Sequence, residues 1–260
     1  MNNVRFVRPH ILKSARSLSV RYGAAEPFPH VVIDDLLEEA DYRLLSDTFP
    51  APSADIWHQY QGGRENRKLQ SRTLNDLPPA HRNLIDELNS VGFVSWLQDL
   101  TGILPLAADP EMSGGGLHQS LPGGHLAIHV DYNRHRRTGQ FRRLNVILYL
   151  NDDWREEWGG HLELWTPNMD RCAQHIAPKG NRLVVFSTSE ASWHGHPEPL
   201  ACPSGITRKS VAFYYYSPVA AEVAPDHSTV FRERPGEVFR RTPKERARDM
   251  AIRLGMRRSA

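Results

Sequence analysis

The chain has 260 residues, 40 % of them apolar and 24 % charged, with a formal net charge of +2. This is the composition of a water-soluble protein long enough for one large domain with its own core, and no apolar run approaches the ~20 residues that a membrane-spanning helix needs. The first ten residues, MNNVRFVRPH, lack the hydrophobic stretch of a signal peptide, and Cys172 and Cys202 are not spaced as a zinc site, so we expect a cytoplasmic protein with free thiols.

Residues 1–24 show no hydrophobic period and read as an N-terminal arm. A strand over 27–35 leads into a helix over 37–49, with Leu37, Leu44 and Leu45 on one face. Residues 51–76 are polar, and 59–67 reads as a mobile loop. A helical period returns through Leu84, Leu88, Val91, Val94 and Leu97, predicting two helices broken near Gly92 that buttress a sheet.

From 114 to 216 short apolar runs alternate with turn signals, the pattern of a β-sandwich or barrel. The clearest strands are 125–131, 144–150, 161–165, 182–186 and 210–216. The fold class is therefore mainly β with flanking helices, and two packed antiparallel sheets can hold a metal at one open end. Past Pro218 a linker rich in proline and charge precedes a helix opened by the capping box TPKE at 242–245. That helix carries Ala247, Met250, Ala251 and Leu254 on one face, to pack on the domain or in a homodimer. Between 232 and 258 ten basic residues stand against four acidic ones; we read them as a solvated helix face, with no nucleic acid and no membrane as partner.

The chemistry concentrates between 125 and 216. His129 and Asp131 are two apart, and on a strand such residues point to one face. His194 and His196 both follow the apolar run 183–186, which delivers a loop to the site; we take His194 as the third ligand. Two imidazoles and one carboxylate fill one face of an octahedral ion and leave the opposite face open for reaction, the arrangement of non-haem Fe(II) oxygenases. The loop 133–143 adds Arg134, Arg136, Arg137, Arg142 and Arg143 beside Asp131, a positive rim that suits an anionic substrate, or else charges paired with Glu156 and Glu157.

The blocks HVD (129–131), ILYLNDDW (147–154), GGHLELW (159–165), NRLVVFS (181–187), WHGHP (193–197) and TRKSVAFYYY (207–216) resemble the 2-oxoglutarate- and Fe(II)-dependent dioxygenases. Within them the chain looks like the prolyl 4-hydroxylase branch, most of all its bacterial members. The resemblance covers 112–217 and implies a double-stranded β-helix, a cupin-like jelly-roll, over 25–217, with 218–260 as the linker and C-terminal helix. It implies Fe(II) held by His129, Asp131 and His194, and 2-oxoglutarate anchored at its distal carboxylate by Arg208, Tyr149 and Ser210. An arginine suits that anchor because its planar fork binds a carboxylate bidentately and keeps its charge. Many prolyl hydroxylases carry a tyrosine upstream of the HxD pair; here the region reads GGGLHQSLPGG (114–124), and Gln119 or His118 takes its place. The implied reaction uses dioxygen, releases succinate and carbon dioxide, and hydroxylates a C–H bond of a peptidyl, amino-acid or small anionic substrate. Asp131 favours hydroxylation, because halogenating relatives have a small residue there. The rival readings are a cupin-type enzyme using another metal without 2-oxoglutarate, and a noncatalytic binding module.

Overall fold

The computed structural model describes residues 5–239 together with Pro243, Ala247 and Met250. The helix expected over 242–256, and most of the basic tail with it, lie outside the described residues.

Antiparallel strands make two facing layers that share one long strand. The larger layer runs β1 (His30–Ile33), β9 (Arg182–Ser187), β6 (Phe141–Tyr149), β11 (Arg208–Ser217) and the first half of β5 (Gly116–Val130). The second half of β5 pairs with β10 (His194–His196), followed by β7 (Leu162–Trp165) and β8 (Cys172–Ile176). β5 passes from one layer to the other across 121–124, where Gly123 takes φ +77°. A Cβ on Gly124 would lie 2.7 Å from the Leu121 carbonyl oxygen, so the crossing needs a glycine there. This is the double-stranded β-helix implied above.

β9 shows why its sequence is continuously apolar. Leu183 and Val185 face the helical side, whereas Val184 and Phe186 face the second layer, so both faces are buried. Between the layers, Tyr149, Val184 and Phe186 meet Leu162, Leu164 and Ile176. On the outer face Leu144, Val146, Leu148 and Phe213 join α4 (Pro79–Leu88) and α5 (Val91–Thr101) through Leu84, Leu88, Phe93 and Leu97. These helices are the expected buttress. Their break falls at Asn89 and Ser90, just before Gly92: the Ser90 hydroxyl caps α5 by accepting from the Phe93 amide.

Three local expectations change. Within residues 1–24, α1 (Pro9–Lys13) and α2 (Ala15–Gly23) pack Ile11, Ala15, Leu18 and Tyr22 into the core, and Trp96 Nε1 donates to the Ile11 carbonyl. These four core residues stand four, three and four residues apart, a helical period set in a stretch whose other positions are mostly polar or basic. The stretch read as a mobile loop is the hairpin of β2 (Trp57–Gln61) and β3 (Glu65–Ser71), paired to β5. It is polar because Tyr60, Glu65, Lys68 and Gln70 line a cavity. In α3 (Glu39–Asp47) Leu45 is buried, but Leu44 is 47 % exposed and Leu37 precedes the helix. Among the described residues no helix is long and apolar enough to cross a membrane.

Candidate metal centre and cosubstrate pocket

Between the layers lies a cavity of about 840 Å³, lined among others by His129, Asp131, His194, Arg208 and Ser210. The antiparallel register of β10 on β5 sets His194 opposite His129, with ring centroids 4.4 Å apart. His129 Nε2 lies 3.6 Å from Asp131 Oδ1, and His194 Nε2 lies 3.3 Å from Oδ2. One ligand atom from each residue falls within 4.8 Å of the other two. His129 Nδ1 donates to the Ala127 carbonyl at 2.9 Å and His194 Nδ1 to the Ser192 carbonyl at 2.8 Å. With the proton on Nδ1, both Nε2 lone pairs face the centre of the cluster, the tautomer that a metal ligand requires. The donor set therefore fits a divalent metal with open positions.

The carboxylate is held by two residues not anticipated as part of the site. Asn145 Nδ2 donates to Asp131 Oδ2 at 2.7 Å, and the Arg142 guanidinium sits 3.0 Å from the same oxygen. Arg142 also donates twice to Asn145 Oδ1, at 2.9 and 2.7 Å, and lies over the rings of Tyr132 and Tyr214. Burial works to raise the Asp131 pKa, but the Arg142 guanidinium outweighs it and holds the carboxyl well below its ordinary 3.8. Asn145 carried a usable signal: it is an amide in the apolar run 144–150 at an inward strand position.

Arg208 is 6 % exposed. Its Nε donates to the Gly160 carbonyl at 2.6 Å and its Nη2 to the Tyr149 hydroxyl at 3.1 Å, with the guanidinium stacked on that ring. Burial raises the Tyr149 pKa and Arg208 only partly opposes it, so the phenol stays protonated. Ser210 stands opposite Tyr149 across β11 and β6. Gly160 makes room for this anchor: a Cβ there would lie 2.6 Å from Leu200 and 3.0 Å from the Arg208 side chain, at φ +71°.

Gln119 is not brought to the cavity. Its amide bonds the Pro50 carbonyl and the Thr207 hydroxyl, while His118 and Ser120 line the cavity. The cause is a bulge in β5: His194 and His196 on β10 stand opposite His129 and Leu126, three residues apart, so the alternation slips by one. Counting by twos from His129 selects Gln119, whereas the bulge selects His118.

The basic loop distributes its charge inside the chain. Arg134 pairs with Asp226 at 2.8 Å and Arg137 with Glu111 at 2.9 Å, Arg143 donates to the Val219 carbonyl, and Arg142 is buried on Asp131. Arg136 is exposed on the cavity wall. Glu156 and Glu157 pair instead with His161 and Arg155. Asp109, Glu111 and His135 form a second cluster of ligand-type residues, but His135 Nδ1 accepts the Arg137 and Thr138 amides and Asp109 caps the amides of Glu111 and Ser113. That cluster is a turn held by its own hydrogen bonds.

One wall comes from beyond the last long strand. β12 (Val230–Phe231) pairs with the end of β5, Phe231 opposite His129, with ring centroids 5.4 Å apart. Arg64, at the tip of the β2–β3 hairpin, lies over the rings of Phe231 and Phe239.

The family model of the 2OG-Fe(II) oxygenase superfamily matches residues 115–216. The chain is 25 % identical over 203 residues to prolyl 3-hydroxylase OGFOD1 of Mus musculus, covering 74 % of this chain and 33 % of that protein. It thus spans about a third of that relative's length. Among solved structures it is similar to a prolyl hydroxylase of Trichoplax adhaerens in complex with a hypoxia inducible factor oxygen degradation domain peptide fragment. The TM-score is 0.59 at 18 % identity, over 80 % of this chain and 93 % of that one. A second, from prolyl 4-hydroxylases of Phytophthora capsici, gives a TM-score of 0.51 at 18 % identity, over 100 % of this chain and 77 % of that one. The fold is thus one that prolyl hydroxylases use, and the stretch that matches the 2OG-Fe(II) oxygenase family model, 115–216, is the one that carries His129, Asp131, His194 and Arg208.

Proposed function

We propose that this chain is a 2-oxoglutarate-dependent dioxygenase that hydroxylates a C–H bond of a peptidyl or amino-acid substrate, with His129, Asp131 and His194 holding Fe(II). The observation that carries the reading is one cavity lined by both a His-Asp-His cluster with inward Nε2 lone pairs and a buried arginine on a tyrosine hydroxyl. When bound, Fe(II) and 2-oxoglutarate supply the oxidant that places one oxygen atom of dioxygen in the substrate C–H bond, the keto-acid leaving as succinate and carbon dioxide. The chain's residues orient and exclude: Arg208, Tyr149 and Ser210 bind the distal carboxylate, and Arg142 with Asn145 keeps Asp131 ionised and aimed. Arg208 and Tyr149 are both buried, and low-dielectric surroundings strengthen each electrostatic contact they make.

A peptidyl substrate is favoured over a small anion because four of the five arginines in 133–143 already have partners within the chain. The names of the mouse relative and the Trichoplax structure point the same way. Free thiols at Cys172 and Cys202 agree with a cytoplasmic setting.

The test is anaerobic addition of Fe(II) and 2-oxoglutarate to the purified protein, watching for the visible metal-to-ligand charge-transfer band, then admission of oxygen and a succinate assay. A band that needs higher 2-oxoglutarate in Arg208→Ala supports the reading. Bound iron with neither band nor succinate overturns it in favour of a cupin-type enzyme of another metal.

A further inference from the structure

A buried histidine in the cavity has no part in the roles above. His196 follows His194 by two on β10, lines the same cavity and is 5 % exposed. Its Nδ1 has no hydrogen-bond partner, and its Nε2 lies 3.5 Å from the Ser120 hydroxyl. A buried ring nitrogen left unpaired is costly, and in native proteins such atoms are seldom left bare: protein, ordered water or a bound group supplies the partner.

Its neighbours say which group. Ser120 is the direct cross-strand partner of Arg208 on β11 and of Lys68 on β3, so these three residues form one row across the cavity floor. His196 meets that row at Ser120, at the cation end of the cavity. His118 also has an unpartnered Nε2, but it is only half-buried.

We propose that His196 binds the cosubstrate directly: its Nδ1–H donates to an oxygen of the 2-oxoglutarate carboxylate anchored by Arg208, and the Ser120 hydroxyl donates to Nε2 to fix the ring. The inference rests on the oxygenase reading and extends its carboxylate site by a residue from the opposite layer. Arg208 and Tyr149 hold the anion from β11 and β6, and His196 closes on it from β10.

The experiment uses the full chain loaded with Zn(II), which binds cosubstrate without turnover, and titrates 2-oxoglutarate by calorimetry. His196→Phe keeps a ring and removes both nitrogens; its 2-oxoglutarate Kd is expected to rise about ten- to a hundredfold, as for loss of a hydrogen bond to a charged group. His196→Asn returns a donor near the Nδ1 position and recovers most of that loss. Zn(II) affinity stays at the wild-type value in both variants, which a general disturbance of β10 would not allow, since His194 lies on the same short strand. Independently of any variant, the His196 Nδ1 resonance of the wild-type protein shifts on saturation with 2-oxoglutarate. Wild-type Kd in His196→Phe, or an unmoved Nδ1 resonance at saturation, overturns the proposal. If Arg208→Ala still loses 2-oxoglutarate, the oxygenase reading stands without it. A wild-type protein that binds Zn(II) but no 2-oxoglutarate overturns both.

Discussion

Replacing Arg142 by leucine removes the countercharge of Asp131 and leaves a buried carboxylate facing two histidines. At 3.0 Å the attraction between unit charges is about 5 kcal/mol at an effective dielectric of ~20. Breaking one side of a buried pair typically costs about 3–5 kcal/mol, because the remaining ion stays desolvated. We therefore expect Arg142→Leu to lower the unfolding free energy of the metal-free protein by about 3–5 kcal/mol, measured by urea denaturation followed by circular dichroism. A divalent ion gives Asp131 a new positive partner, so saturating Zn(II) should shrink the deficit. Asp131→Leu combined with Arg142→Leu should be more stable than Arg142→Leu alone, since neither charge is then stranded. A loss below about 1 kcal/mol, or one that metal leaves unchanged, would refute the assignment of Arg142 as the carboxylate's clamp.

Asp131→Ala should lose Fe(II) in equilibrium dialysis and with it all hydroxylation; retained iron and activity would remove Asp131 from the ligand set. Gly160→Ala forces a Cβ to within 3.0 Å of the Arg208 side chain; it should raise the 2-oxoglutarate Kd while metal affinity is unchanged, by calorimetry on the Zn(II) form. His81 packs its ring edge-on to Phe49, and neither ring nitrogen makes a hydrogen bond of normal geometry. Burial lowers its pKa from 6.5 to about 4, partly opposed by the Leu45 carbonyl. The unfolded chain therefore takes up a proton that the folded one refuses, so this stability is present above pH 6.5 and is lost as the pH falls towards 4. His81→Leu should remove about 3 kcal/mol of that pH dependence, seen as a flatter plot of unfolding free energy between those limits.

The His129–Asp131–His194 cluster was legible because its geometry is local: His129 and Asp131 need only the alternation of one strand, and His194 follows an apolar run that reads as a buried strand. Arg208 and Tyr149 were reached through ordered blocks of resemblance, and the structure brings them within a hydrogen bond of each other. What failed depends on relations between strands. The bulge that turns His118 inward arises where β5 meets β10, so no count along β5 alone reveals it. Arg142 and Arg143 are neighbours on β6 and point opposite ways, one to Asp131 and one to Val219, yet in the sequence they read as equal parts of a basic rim. The β2–β3 hairpin hid for a related reason: strands that present Tyr60, Glu65, Lys68 and Gln70 to a cavity show no apolar alternation.

The pairing of Phe231 with His129 bears on how portable this chemistry is. A graft ending at Ser217 would carry His129, Asp131, His194 and Arg208, yet His129 would lose its aromatic cover and one wall of the cavity would stand open. The recognisable motif and the complete vessel are thus of different lengths. The shape of the cavity mouth can therefore change through residues after Ser217, such as Phe231, while the His-Asp-His cluster stays the same.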